Sequence, residues 1–575
     1  MVFLFILFTC LFTKEIRAEK SPPPLKIVYF VPSDKQPLED RQERLGRVMK
    51  YVQDFYRSEM QRNGYGPKTF ALEWDAPGKL KLYIVKGKKE AHQYGRDDAY
   101  VVSDEVRQAL AEQQINTRNE VVVIFQMLLD WKDGVATEIG PYVGGGSHLS
   151  GTAWVYEDAK LDSDLLSSKE PGGYYHGPCS IGKFNTHYIG GTAHEMGHAF
   201  SLPHDCQLDS EQKEMSAVSL MGAGNHTFGQ NLRGEGVGTF LSPASAMRLS
   251  TVRAFAGDLP NAQTQPKWEI KELAATVKPS ADAAKAPEFT LSGNIAATPE
   301  LVGIIAYNDD MTINSDYDAK AWTTVPEKDG SFKIEINELK AVPYQLRLVG
   351  IHANGASSVL KCDYMVEKKD SGYSVDLSPI NDVKMLDNLV SSYNNRNSEA
   401  LEKIANDSAV SKTLREKAKH AIFLLKPRRQ IDVAQIPGDE KQADLTFAKF
   451  KKSQTGWGPA RFGNVPEDIF ISVDGKFFKS GLYAHAPSVY EVDLDGKWKT
   501  LEIGFGLQDG HAGEVRFVIN GDGKELYRSE VVSDRKFRRQ SVRVLGVKTL
   551  ELSVEHTDAG NGGCWGIWVD PIVKR

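Results

Sequence analysis

The stretch GGTAHEMGHAFSLPHD, Gly190 to Asp205, contains three histidines spaced four and then six residues apart. Residues four apart on an α-helix project from nearly the same face, so His194 and His198 can offer two imidazole nitrogens to one metal ion. Glu195 follows the first histidine directly, close enough to face a water molecule bound to that ion. The pattern therefore predicts a helical metal site with a general base beside it. The alternative is a helix with ordinary surface histidines.

A third ligand is expected just after this helix. Proline disfavours helical geometry at the residue before it, so Pro203 predicts that the helix ends near Phe200 or Ser201. The chain can then double back and bring His204 to the ion. Three neutral imidazoles and one water form an open tetrahedral zinc site, in which the water has a pKa of about 7. If the turn differs, the third ligand would be a carboxylate from Asp205, Glu211 or Glu214.

The segment HEMGHAFSLPH, residues 194–204, resembles the metzincin metallopeptidase motif H-E-x-x-H-x-x-G-x-x-H, and the following Asp205-Cys206 resembles the adamalysin branch. SLMG at residues 219–222 is similar to the methionine turn of that family. The resemblance covers residues 24–256 and implies an α/β zinc peptidase domain. It also implies that Met221 forms an apolar floor under the imidazoles without binding the metal.

Two positions depart from the family pattern. Ser201 stands where metzincins have a glycine with positive φ, a conformation that costs a non-glycine residue about 1 kcal/mol. Ala223 replaces a tyrosine that serves some members as an extra ligand. Family members bind substrate along an edge strand, for which Ser150–Tyr156 is the candidate, after a glycine-rich stretch predicted as a loop. The histidines outside the motif lack ligand spacing and are predicted to lie at the surface or to support the site: His148, His187 and His226.

The rest of the chain predicts further domains. Short strands separated by turn signals across residues 267–378 predict a β-sandwich of the immunoglobulin or fibronectin kind. Residues 381–426 change to helical periodicity and predict a short helical spacer. Gly-rich and aromatic strands fill residues 432–575 and predict a β jelly roll. The fold class is thus multidomain, with an α/β catalytic domain first.

Residues 432–575 resemble the NPCBM domain, also called carbohydrate-binding module family 51, through stretches such as GLYAHAPSVYEVDLDGKWKTLEIGFGLQDG and GCWGIWVDP. A sugar site needs an aromatic ring for the sugar face and fixed polar groups for its hydroxyls. The candidates stand in turn-rich stretches: Trp457, His485, Gln508, Asp509, His511 and Trp565. An oxygen-rich calcium site is a further hypothesis, with Asp509, Asp558 and Asn561 as ligands.

Composition and charge narrow the protein class. The 575 residues carry a formal net charge of −6 with both signs mixed and no long basic run, which argues against a nucleic-acid partner. The apolar N-terminal block predicts a secretory signal over residues 1–18, and no other segment is apolar enough to cross a membrane. In an exported protein we expect a disulfide between Cys179 and Cys206, which flank the histidines; the alternative is two buried thiols.

These features together predict a secreted zinc endopeptidase, extracellular or periplasmic, with Glu195 as general base and acid. The carbohydrate module suggests glycoprotein or polysaccharide-associated substrates. Two other functions stay open. One is a catalytically inactive glycan-binding or adhesion protein, against which the intact Glu195 argues. The other is a zinc amidase or deacetylase that acts on glycans.

Overall fold

The computed structural model describes residues 21–575 apart from 279–285, 314–316, 371, 409, 428, 467–468, 512, 535 and 559. The predicted signal segment lies outside the described residues. The chain forms two compact units: the first comprises the residues up to Pro203 together with 215–265 and 353–356, and the second comprises residues 204–214, 266–352 and 357–575. No helix among the described residues is both long and apolar enough to cross a membrane.

The N-terminal part of the chain alternates strands and helices. Its elements, in chain order, are β1 (Lys26–Val31), α1 (Arg41–Arg62), β2 (Trp74–Ala76), β3 (Lys79–Leu80), β4 (Tyr83–Lys86), α2 (Ala99–Glu112), β5 (Val121–Gln126), β6 (Leu129–Lys132), β7 (Val135–Glu138), β8 (Val143–Gly146), β9 (Gly151–Tyr156), β10 (Pro171–Tyr174), β11 (Pro178–Ser180), α3 (Ile181–Ala199), α4 (Asp209–Met215), β12 (Ala217–Ser219), β13 (Gly238–Phe240), α5 (Pro243–Leu249) and α6 (Arg253–Ala256).

A five-stranded sheet of order β4-β1-β5-β9-β8 forms the centre of the first unit. The first four strands pair in parallel and β8 pairs antiparallel to β9, so β8 is an outer strand. The central strands β1 and β5 are buried almost throughout, as continuous apolar runs in parallel sheets usually are. Helix α1 buries a stripe that includes Leu45, Val48 and Val52. Tyr56 on the same stripe donates a hydrogen bond to the Ala193 carbonyl at 2.8 Å and so ties α1 to α3.

Residues 267–376 of the second unit form two antiparallel sheets. The strands are β14 (Lys267–Lys278), β15 (Glu288–Thr298), β16 (Leu301–Asp310), β17 (Lys320–Thr324), β18 (Ser331–Ile336), β19 (Pro343–His352), β20 (Ser357–Lys369) and β21 (Gly372–Asp376). One sheet has the order β14-β15-β18 and the other β17-β16-β19-β20-β21. Inward residues of both sheets share one apolar core, which is the arrangement of a β-sandwich.

Four helices follow: α7 (Ser378–Asn381), α8 (Val383–Asn394), α9 (Ser398–Asn406) and α10 (Lys412–Leu425). Asn397 and Ser411 cap α9 and α10, each accepting a hydrogen bond from a backbone N–H in the first turn. Apolar residues of α8, α9 and α10 pack together with Ile469 and Phe470 of the following domain. These helices therefore share a core with the C-terminal domain.

The C-terminal domain has two large antiparallel sheets with an apolar core between them, and a small sheet of two strands, β25 and β26, defined below. Its strands are β22 (Gln442–Asp444), β23 (Phe450–Gln454), β24 (Arg461–Phe462), β25 (Ile471–Val473), β26 (Lys476–Phe478), β27 (Gly481–His485), β28 (Ser488–Asp493), β29 (Thr500–Leu507), β30 (Val515–Gly521), β31 (Lys524–Arg528), β32 (Arg538–Arg543), β33 (Thr549–His556) and β34 (Trp565–Lys574). One sheet runs β24-β27-β34-β29-β32, with β22 also on β34, and the other runs β23-β28-β33-β30-β31. The chain is thus multidomain and rich in β structure.

Candidate metal centre and carbohydrate site

Helix α3 carries His194, Glu195 and His198 on its last two turns. Its start is fixed by Ser180, whose hydroxyl accepts a hydrogen bond from the Lys183 N–H at 3.1 Å. Most of the helix is buried in the first unit, and His194 has an exposed fraction of only 2%. A rigid, packed helix therefore holds the two histidines at their spacing of four residues.

The end of α3 has the hydrogen bonds of a Schellman motif. The Leu202 N–H donates to the Gly197 carbonyl at 3.0 Å, and the Ser201 N–H donates to the His198 carbonyl at 2.9 Å. Ser201 has a φ of +69°, the left-handed conformation that the metzincin pattern assigns to a glycine. The serine therefore makes the same turn at some cost in backbone strain.

The structure brings His194, His198 and His204 together, with one ligand atom from each lying within 4.8 Å of the others. Nδ1 of His194 lies 2.7 Å from the Leu220 carbonyl, and Nδ1 of His198 lies 2.8 Å from the Leu202 carbonyl. A hydrogen bond from Nδ1–H to a carbonyl fixes the tautomer that offers Nε2 to a metal. Three imidazole donors, two of them oriented in this way, fit zinc.

The third histidine belongs by its contacts to the second unit. The His204 ring stacks on Tyr317, with ring centroids 3.6 Å apart. Two residues later, the Cys206 N–H donates to the Ala319 carbonyl at 2.9 Å and its thiol donates to the Asp318 carbonyl at 3.0 Å. Sequence reasoning missed these partners because they lie more than a hundred residues away along the chain.

The cysteines differ from expectation. Cys179 and Cys206 are both free, so the predicted disulfide between them is wrong. Cys179 packs against the core of the first unit, whereas Cys206 is fixed in the second unit by the hydrogen bond just described. Burial raises the pKa of the Cys206 thiol to about 12, which keeps it protonated and able to donate.

Met221 is fully buried in a tight turn after β12. The Gly222 N–H closes this turn by donating to the Ser219 carbonyl at 3.1 Å. A methyl group added at Gly197 would lie 2.5 Å from the Met221 sulfur, so the methionine packs directly on α3 between the two histidine turns. The same turn supplies the Leu220 carbonyl that orients His194. The role of Met221 as a floor under the imidazoles stays a prediction.

Glu195 faces the outer strand β8. Burial raises the pKa of Glu195 to about 8, and a hydrogen bond from the Gly144 backbone N–H offsets only part of this rise. A Cβ at Gly144 would lie 2.0 Å from the Glu195 carbonyl oxygen, and one at Gly146 would lie 2.2 Å from that of Ala199. The glycines of β8 thus let this strand approach α3 closely.

The strand predicted to bind substrate does not lie at the edge of the sheet. Ser150–Tyr156 corresponds to β9, which pairs with β5 on one side and β8 on the other and so has no open edge. The open edge belongs to Val143–Gly146, a segment that was predicted to be a loop. Its run of glycines was the available signal, because glycine inside a strand often marks close backbone approach.

The other predicted supporting histidines lie apart from the ligand group. His148 contacts the Ala262 carbonyl through Nε2 at 2.7 Å. His187 stacks on Tyr175 at 3.5 Å and lies 5.4 Å from the His226 ring. Burial, followed by the neighbouring histidines His226 and His176, lowers the pKa of His187 to about 3. His187 is therefore neutral at physiological pH.

In the C-terminal domain, four of the predicted sugar-binding rings form one cluster. Trp457 is 44% exposed, and its ring centroid lies 5.1 Å from that of Trp565. His511 stacks on Trp565 at 3.9 Å, and His485 lies 6.3 Å from the same ring. The exposed indole beside two histidines has the features of a sugar platform.

The polar candidates Gln508 and Asp509 make hydrogen bonds within the domain, and their contact with a sugar stays a prediction. The buried Gln508 side chain donates to the Phe470 carbonyl at 3.1 Å and accepts from the Ser472 N–H at 3.1 Å. The Asp509 carboxylate accepts from the Ser472 hydroxyl and from the Gly475 N–H. Both side chains therefore hold the loop around 470–475. Both contacts of Asp509 use Oδ2, and the calcium hypothesis, with Asp558 and Asn561 as the other ligands, stays a prediction.

Comparisons with known proteins agree with this architecture. Residues 441–574 match the NPCBM/NEW2 domain family. No curated protein matches the chain in sequence. The crystal structure of wild-type OgpA from Akkermansia muciniphila is 25% identical with a TM-score of 0.51, and the match covers 62% of this chain and 96% of OgpA.

Catalytically inactive OgpA, solved in complex with the O-glycopeptide substrate glycodrosocin, is also 25% identical with a TM-score of 0.51. That match covers 64% of this chain and 98% of OgpA. The chain thus resembles OgpA in fold over nearly all of OgpA's length, and its C-terminal domain is an NPCBM domain, as the sequence predicted.

Proposed function

We propose that this protein is a secreted zinc endopeptidase that cleaves O-glycosylated proteins. The observation that carries the proposal is the convergence of His194, His198 and His204, with one ligand atom from each within 4.8 Å of the others and Glu195 beside the first. Two of the imidazoles are oriented by backbone carbonyls, which is the support that metal-binding histidines usually have.

Zinc, when bound, supplies a Lewis acid and lowers the pKa of a water molecule to about 7. Glu195 would take the proton of the attacking water and later return it to the leaving amine. Burial favours its protonated form, whereas a nearby cation favours the carboxylate. The opposing effects suit a group that must both accept and release a proton.

The open edge of β8 supports a peptide as substrate. An extended peptide can add to a sheet edge through main-chain hydrogen bonds, whatever its sequence. The Gly144 N–H faces the Glu195 carboxylate, so a peptide beside β8 would run close to the general base.

Two features support glycosylated substrates. OgpA, to which this chain is similar in fold, was solved with an O-glycopeptide as its substrate. The NPCBM domain carries the ring cluster of Trp457, Trp565 and His511. Tethering by a sugar-binding domain raises the concentration of the active site near glycosylated targets.

The test uses Glu195→Gln, which keeps the size and most hydrogen-bonding capacity of the side chain. Glycodrosocin and the same peptide without its glycan are incubated with each protein, and the products are mapped by mass spectrometry. We expect cleavage of the glycopeptide by the wild type, and a rate lower by a factor of about 10² to 10⁴ in the variant. The bound zinc, measured by elemental analysis, should stay at one ion per chain.

Three outcomes would contradict the proposal. Unchanged cleavage by Glu195→Gln would remove this residue from the reaction. A wild type that binds glycopeptide but never cleaves it would favour the adhesion alternative. Release of acetate or free sugar from an intact peptide would favour the amidase or deacetylase alternative.

A further inference from the structure

A pocket of about 350 Å³ lies in the second unit, where the spacer helices meet the NPCBM domain. Helix α8 contributes Tyr393, and the segment after α10 contributes Lys426 and Arg429. The C-terminal domain contributes Phe447 together with Arg461 and Phe462 of β24. The pocket therefore uses none of the residues of the Trp457–Trp565 ring cluster.

The lining of this pocket is strongly cationic. Lys426, Arg429 and Arg461 all line it, and no aspartate or glutamate is among the lining residues that the structure describes. Within the part of the chain that the structure describes, these three side chains have no ion pair or hydrogen bond to another side chain. Nε of Arg461 is buried without a hydrogen-bond partner among the same residues.

A buried guanidinium N–H without an acceptor is unfavourable, and an anionic oxygen would satisfy it. The C-terminal end of α10 favours one positive charge close by, since its last carbonyls carry partial negative charge. This effect accounts for Lys426, which directly follows the helix, but not for Arg461 on a strand of the next domain. The end of α10 therefore explains one of the three positive charges that line the pocket, and not the charge of Arg461.

Aromatic rings supply the rest of the lining. Tyr393, Phe447 and Phe462 line the pocket, and Phe462 is held by stacking on Phe450 with ring centroids 5.7 Å apart and planes at 12°. A simple inorganic anion gains little from such rings. A sugar ring packs its C–H face on aromatic side chains, and a carboxylate or sulfate matches the fork of a guanidinium. The volume lies within the range of small-ligand pockets and suits one monosaccharide.

We propose that this pocket binds an acidic monosaccharide, carrying either a carboxylate or a sulfate, as a second sugar site. The site goes beyond the peptidase function and uses neither the three histidines nor Glu195. It would direct the protein to glycans that end in negatively charged sugars. Carboxylated and sulfated sugars present the same oxyanion chemistry, and separate titrations distinguish them.

In the test, the full-length protein is titrated separately with N-acetylneuraminic acid, galactose 6-sulfate, methyl β-galactoside and inorganic sulfate. Binding is measured by calorimetry and by ligand-observed NMR. We expect at least one acidic sugar to bind, with an affinity at least ten times that of the neutral galactoside at this pocket. Arg461→Gln and Arg429→Gln should each weaken that binding about tenfold or more. Raising the salt concentration should weaken it as well, because ions screen the attraction.

Matched controls define the site. Arg543→Gln removes a cation from an exposed position on β32 and should leave the affinity unchanged. Trp457→Ala should leave acidic-sugar binding intact while weakening any neutral-sugar binding. Arg461→Lys keeps the charge but loses the fork and should bind with intermediate affinity. If Arg461→Gln lowers the melting temperature, Arg429→Gln, in the connecting segment, carries the test.

Three results would overturn the proposal. The first is that neither acidic sugar binds, and the second is that neither arginine variant weakens the binding. The third is that inorganic sulfate binds as tightly as the acidic sugars, which would show that the rings do not contact a sugar. Glu195→Gln separates this proposal from the peptidase proposal, since we expect it to lose cleavage but to bind the acidic sugar as tightly as the wild type.

Discussion

Gly144→Ala tests the close contact between β8 and the helix that carries the general base. The added Cβ would lie 2.0 Å from the Glu195 carbonyl oxygen, 2.7 Å from its carbonyl carbon and 3.0 Å from its Cα. Ordinary contact needs at least 3.4 Å, and all three neighbours are backbone atoms that cannot rotate away. The strand and the helix must therefore separate by more than about 1 Å, in the range where overpacking costs about 1–3 kcal/mol.

The simplest relief moves β8 outward. This movement weakens the hydrogen bond from the Gly144 N–H to Glu195 and displaces the edge proposed to bind substrate. A displacement of about 1 Å at a reacting group can lower the rate about 100-fold. We expect kcat/KM for the O-glycopeptide to fall by about that factor, and the melting temperature to drop by several degrees.

Gly145→Ala is the matched control, because an added Cβ there meets nothing within 4 Å and the residue has ordinary backbone geometry. It should change kcat/KM by less than about threefold and leave the melting temperature within about 1 °C. Peptide cleavage and differential scanning calorimetry measure both quantities. Equal behaviour of the two variants would refute the packing argument and, with it, the placement of β8 beside the general base.

Ser201→Gly should keep or slightly raise the melting temperature, because glycine adopts a φ of +69° without strain. Ser201→Val should lower the free energy of unfolding by more than about 1 kcal/mol, since β-branched residues rarely adopt this conformation. A valine variant as stable as the wild type would argue against the turn. The pKa of His187 is about 3 in the folded protein, compared with 6.5 for an unperturbed histidine. As the pH falls below about 6.5, the unfolded chain therefore binds a proton that the folded protein does not, and the free energy of unfolding decreases. We expect urea melts at pH 7.5 and 5.5 to show a loss of about 1 kcal/mol that His187→Gln abolishes and the exposed His92→Gln preserves; an unchanged pH dependence in His187→Gln would contradict this. Glu157→Gln removes the buried carboxylate from the Arg44 guanidinium and leaves it only the ion pair with the exposed Asp40, which should cost about 3–5 kcal/mol by urea denaturation. A loss below about 1 kcal/mol would show that the pair is solvated.

The features that the sequence predicts best are those set by local geometry. The spacing of His194 and His198 fixes their common helix face, and Pro203 limits where the helix can continue. The structure ends α3 at Ala199 and forms the turn at Ser201 with positive φ. Each of these outcomes depends on residues within one or two helical turns, which is why a single sequence suffices to predict them.

Strand β8 shows where local reasoning fails. Val143–Gly146 has three glycines and little β-propensity, so its composition predicts a loop. The strand forms because pairing with β9 and contact with α3 compensate for that poor propensity, and only glycine permits the contact. Tertiary packing selects the conformation, and its partners, Ala153 and Glu195, carry no mark in the sequence that points to them.

The surroundings of His204 illustrate the same limit at longer range. Its spacing from His198 predicts it as a ligand, but the structure fixes its segment through Tyr317, Asp318 and Ala319, which precede strand β17 of the β-sandwich. Lys320, the first residue of β17, extends the contact by pairing with Asp209 of α4 at 3.0 Å. A boundary drawn at residue 256 from the motif alone leaves all these partners outside the predicted peptidase domain. The β-sandwich therefore holds the segment that carries His204, because the residues that contact this segment precede or begin one of its strands.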